Sequence, residues 1–166
     1  MNEPKNSRIV ARNVATAVER EIYRPGDGEK AVSPDGKWLA FQVVEPARQT
    51  TTRLVPTVGG TARDLINLRA PDGVYSFGGL SWTPDGKRVL FVKARNGTDR
   101  REVWHVDVES GRAEPTGLSA PGLQYVRLHP DGRQLAYSAG KRQEEIWVIE
   151  HFLPPARARA ATAARR

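Results

Sequence analysis

The stretch Ser81-Trp82-Thr83-Pro84-Asp85-Gly86-Lys87-Arg88-Val89-Leu90-Phe91 recurs in outline at Ser33-Pro34-Asp35-Gly36-Lys37 and at His129-Pro130-Asp131-Gly132-Arg133. The copies stand roughly 45 to 50 residues apart, and each leads at the same offset into an apolar run. These runs are Trp38-Leu39-Ala40-Phe41, Arg88-Val89-Leu90-Phe91 and Gln134-Leu135-Ala136-Tyr137. Proline presets the first central turn angle, aspartate bonds its own backbone and glycine accepts positive φ, so each phrase reads as a tight turn between strands.

Working outward from the second copy gives a unit of four strands, a to d. Strand a is Leu80 to Trp82, b is Arg88 to Lys93, c is Glu102 to Val106 and d is Arg112 to Thr116, with a turn at Glu109-Ser110-Gly111. The first unit reads as a at Ala31-Val32, b at Trp38 to Val44, c at Arg53 to Pro56 and d at Ala62 to Asn67. The third reads as a at Gln124 to Leu128, b at Gln134 to Ser138 and c at Glu144 to Ile149, after which Pro154-Pro155 prevents a ladder strand. Upstream, Ile9 to Asn13 aligns with Val103 to Asp107 and Val18 to Tyr23 with strand d, predicting a c–d hairpin; a helix over Ala15 to Ile22 is the competing local reading. The b strands are apolar on both faces, which predicts that they are sandwiched between neighbours. The predicted fold class is all-β: a partial, open β-propeller of about three four-stranded antiparallel blades.

The Pro-Asp-Gly phrase, preceded by Trp and Ser or Thr and followed by an apolar strand ending in Phe or Tyr, resembles the TolB-like β-propeller repeat family. The likeness runs from about Arg8 to Leu153, and Val32, Leu128 and His129 depart from it. Family propellers usually close at six or more blades, so the resemblance implies an open ring here, completed by further blades of a longer chain or by association through open blade edges. The expected organisation is a tail at 1–7, repeats at 8–153 (8–24 half a blade, 30–69 and 79–118 blades, 123–150 an incomplete last blade) and a disordered Arg/Ala-rich tail at 154–166.

The chain has 166 residues, no cysteine and a formal charge of +7. Without cysteine, disulfides and thiolate metal sites are excluded. No apolar run approaches the length of a membrane span, and residues 1–10 do not read as a signal peptide. Arg157, Arg159, Arg165 and Arg166 sit in a tail without acids; removing these four charges from +7 leaves +3. That distribution argues against nucleic acid as the partner, although binding through the arginine tail is a third hypothesis. The family resemblance implies a periplasmic setting, while the sequence itself is equally compatible with cytoplasm.

No catalytic, cofactor or metal site is expected. Ser138-Ala139-Gly140-Lys141 spells S-x-x-K but lies at a strand end, where the serine and lysine cannot occupy successive helical turns. His105, His129 and His151 lack ligand spacing, with His129 expected to cap its turn. Asp35, Asp85 and Asp131 are read as turn formers, the four tryptophans as core, Asn96-Gly97-Thr98 as a turn, and Pro71-Asp72-Gly73 as a loop between blades.

Function is therefore sought on the rim opposite the Pro-Asp-Gly turns, where Arg48, Tyr75, Phe77, Arg95, Arg100, Arg101, Lys141 and Arg142 gather beside Lys93 and the longer loop Val74-Tyr75-Ser76-Phe77. Basic groups beside aromatic ones suit an acidic protein or peptide partner. This reading is a non-enzymatic protein-interaction module. The alternative is the accessory propeller of a larger hydrolase resembling prolyl oligopeptidase.

Overall fold

The structure, a computed structural model, describes residues 7–24, 28–45, 49–69, 73–74, 79–94 and 98–140. These form strands and turns, with no helix among the described residues. A hairpin of β1 (Ile9–Arg12) and β2 (Glu19–Tyr23) comes first. The first complete blade is a sheet in the order β3 (Lys30–Val32), β4 (Trp38–Glu45), β5 (Gln49–Pro56), β6 (Arg63–Leu68). The second contains β7 (Gly73–Val74), β8 (Ser81–Trp82), β9 (Arg88–Ala94), β10 (Arg100–Asp107) and β11 (Ala113–Pro121). A second hairpin, β12 (Gln124–Leu128) with β13 (Leu135–Ser138), begins a third unit.

The three repeated turns are built alike. The N–H groups of Ser33, Thr83 and His129 donate to the carbonyls of Trp38, Arg88 and Gln134 at 2.8, 2.9 and 2.8 Å. The turn glycines Gly36, Gly86 and Gly132 have φ of 72, 68 and 73°, which a side chain would resist. In the first two turns the hydroxyl of Ser33 or Thr83 donates to the aspartate two residues on, at 2.5 and 2.6 Å, while the following b strand donates a backbone N–H back to that hydroxyl. In the third, His129 Nδ1 accepts the Asp131 N–H at 3.3 Å, the capping role expected of it.

The N-terminal segment is the predicted hairpin and not the competing helix. Its turn copies the c–d turn of the second blade: Asn13 Oδ1 accepts from Ala15 and Thr16 N–H as Asp107 Oδ1 does from Glu109 and Ser110. Ala17 takes the left-handed backbone (φ 57°) that Gly111 takes (φ 72°).

Successive sheets pack face to face. Leu39, Phe41 and Val55 of the first blade meet Ile9, Ile22 and Tyr23 of the β1–β2 hairpin, with the Tyr23 and Phe41 rings 4.6 Å apart. The opposite face presents Ala40 and Leu54 to Val89, Phe91 and Val106 of the second blade. That blade turns Leu90, Val92 and Val103 toward Leu123 and Val126 of the third unit. Side chains reinforce the stacking: Arg20 Nη2 donates to Thr57 O and Arg63 Nη2 to Val108 O, both at 2.6 Å, each reaching from strand d to the next blade's c–d turn.

Three details differ from expectation. Gly73 and Val74, read as loop, pair with Ala94 and Lys93, because β9 outruns β8 and its far end takes a second partner. Gln42, inside a b strand read as apolar, is fully buried on the face toward the second blade. The third b strand is not sandwiched: Ala136, Tyr137 and Ser138 are exposed because no described element packs on them.

Candidate functional site

Of the eight predicted rim residues, Arg48, Tyr75, Phe77, Arg95, Lys141 and Arg142 lie outside the described residues, as do Asn96 and Gly97, His151 and the proposed strand at 144–149. Arg100 and Arg101 stand at the start of β10, where the alternation of a strand sends them to opposite faces. Arg100 is exposed and donates to Ser119 Oγ at 3.0 Å. Arg101 is half-buried and donates to Leu123 O at 3.2 Å, tying down the connection between β11 and β12. Beside them Lys93 Nζ lies 4.2 Å from the Trp104 ring centroid, a cation–π contact on the same rim. So Arg100 offers charge outward, whereas Arg101 is engaged in holding the scaffold.

A concave site that the sequence reading missed lies among the inner strands. β3, β8 and β12 enclose a cleft of about 500 Å³, lined among others by Lys30, Val32, Trp82, Arg127, Leu128 and His129. Its walls are pinned across blades: Trp82 Nε1 donates to Ala31 O at 2.9 Å, Leu128 N to Ser81 Oγ at 2.9 Å, and Arg127 Nη1 to Leu80 O at 3.3 Å. Arg127 also lies 3.5 Å from Glu29. The sequence signal was present at equivalent a-strand positions. Val32 and Leu128, noted as departures from tryptophan, are the residues that leave the cleft open, while Trp82 is buried and spans two blades.

The candidate acids are committed to turns. Hydrogen bonds from the Ser33 hydroxyl and the Lys37 N–H hold Asp35 below the ordinary carboxylate range, and those from Thr83 and Lys87 do the same for Asp85. Asp107 is lowered by the Ser110 N–H and hydroxyl. Ser138, at the end of β13, donates to Gln124 O at 3.2 Å. Among the described residues no group of three or more His, Cys, Asp or Glu is placed to hold a metal ion, and no helix is long and apolar enough to cross a membrane.

No family model matches the sequence, and no curated protein does. Solved structures do match. TolB from Acinetobacter baumannii superposes with a TM-score of 0.64 at 19% identity, over 81% of this chain and 32% of that one. Pyrococcus horikoshii acylaminoacyl peptidase gives 0.58 at 17% identity, over 81% and 24%. A chain of a nidogen/laminin complex gives 0.56 at 19%, over 80% and 47%. This chain thus has the fold of a TolB-like β-propeller, all-β and open, and it spans about a third of the length of the TolB structure.

Proposed function

We propose that the chain is a non-enzymatic protein-binding module that presents a basic rim and an inner-strand cleft to an acidic polypeptide. The observation that carries this is the open, cross-braced cleft, with Lys30 and Arg127 beside the uncovered apolar Val32, on a scaffold whose candidate acids are spent in turn hydrogen bonds. Such a site recognises by shape and charge and makes no bonds. Fluorescence anisotropy with a Glu/Asp-rich peptide tests it. Lys30→Glu, in the cleft, is expected to weaken binding several-fold, with Arg112→Glu at the outer c–d turn as the control. Equal binding by both variants and the parent chain would sink this reading.

A second reading, the accessory propeller of a hydrolase, is favoured by the structural likeness to acylaminoacyl peptidase. It requires a nucleophile-elbow segment, Gly-x-Ser-x-Gly, on the same or a partner polypeptide.

A further inference from the structure

The Arg127 guanidinium is seated with one nitrogen engaged by the backbone and the other facing a carboxylate. Nη1 donates to Leu80 O at 3.3 Å and to Val126 O at 2.9 Å. Gly79 makes room for it: its φ is 79°, and a side chain there would run into Nη1. β12 is bulged just before this point, and Tyr125 holds a left-handed φ of 56°, which an aromatic residue adopts only under strain. A bulge re-aims the side chains beside it, and Arg127, two residues on, lines the cleft.

The carboxylate belongs to Glu29, whose Oε2 lies 3.5 Å from Arg127 Nη2. Charge-assisted N–H···O bonds ordinarily close to about 2.7–2.9 Å, so this pair is loose, and the Arg127 side chain stays 52% exposed. The backbone beneath Glu29 is pinned. Its carbonyl accepts the Gln42 N–H at 3.0 Å, and Gly28 beside it lies so close to the Gln42 carbonyl that no side chain would fit. The neighbouring cation is positioned as well, since Lys30 Nζ donates to Gly28 O at 2.8 Å.

We propose that Glu29 occupies the place of a ligand carboxylate: when the acidic polypeptide binds, one of its Glu or Asp side chains replaces Glu29 on Arg127 Nη2. This rests on the reading of the cleft as a surface for acidic polypeptides and adds to it the residue that sets affinity and selectivity from within. Displacement lowers the affinity for every ligand, but it selects for charge, because a neutral carbonyl competes poorly with a carboxylate for a guanidinium. Nη1 keeps its two carbonyl partners throughout, so the exchange needs no movement of β12.

Fluorescence anisotropy with the Glu/Asp-rich peptide tests this. Glu29→Gln and Glu29→Asp should each tighten binding about two- to fivefold, the range set by an exposed ion pair. Aspartate keeps the charge but withdraws it from Arg127 by one methylene. A gain in Glu29→Gln alone would mean that general repulsion is relieved and not that a carboxylate is displaced; that result overturns the proposal, as does unchanged or weaker binding in both variants. Lys30→Glu in the same series separates the two claims. If it weakens binding while neither Glu29 variant gains, only the role of Glu29 falls; if no variant differs from the parent chain, the reading of the cleft falls with it.

Discussion

The two faces of the second blade meet different neighbours. Toward the first blade, Val89, Phe91 and Val106 pack on Ala40 and Leu54, and the outer edge is stitched by Arg63 to Val108 O. Toward the third unit, only the inner half is apolar. His105 stands where the first blade has Leu54, and Glu114 stands where it has Arg63. Among the described residues, one face is a finished contact and the other is half of one. Equal strand geometry does not make equal interfaces, since what a blade face buries depends on how many strands its neighbour supplies.

Phe91→Ala in the finished interface is expected to cost about 3–5 kcal/mol in urea denaturation, whereas Val126→Ala, which removes less volume at the half-built one, should cost about 2 kcal/mol or less. Equal losses would erase the distinction. Gln42 lies on the finished side, with neither amide atom paired among the described residues, where the second blade has the fully buried Val92. Gln42→Leu should therefore stabilise by about 1–2 kcal/mol, because an unpaired buried amide is costly. A drop in stability would show that the amide has a partner.

Trp82→Phe keeps most of the ring but loses the bond to Ala31 O, an expected loss of about 1 kcal/mol, read from the thermal midpoint. The smallest effect concerns the turns. Asp35 and Asp85 have lowered pKa values, so their contribution is present above the ordinary value of 3.8 and is lost as pH falls through the folded-state values. Urea midpoints of the parent chain should fall below pH 4 slightly more than those of Asp85→Asn; coincident profiles would remove the role assigned to that carboxylate.

Strand positions were legible because each Pro-Asp-Gly turn carries its own hydrogen-bond chemistry within a few residues, and because Asn13 repeats the Asx geometry of Asp107. The candidate site was less so. Arg101 reads as a free cation in the chain, but it reaches a carbonyl 22 residues away. The cleft joins Lys30, Trp82 and Arg127, which no local pattern connects. Val74 was misread because its pairing depends on how far β9 extends, not on its own neighbours.

Composition and turn chemistry along the chain were enough to establish an all-β repeat with b strands ready for burial, since those signals act over the few residues of a hairpin. Which strands are in fact buried, which cations brace a neighbouring blade and which stay exposed, and where a cleft opens depended on the stacking of blades. Those properties arise from contacts between residues some 50 positions apart, such as Trp82 with Ala31 and Leu128 with Ser81. They exist only once separate sheets meet face to face and exclude water from the space between them.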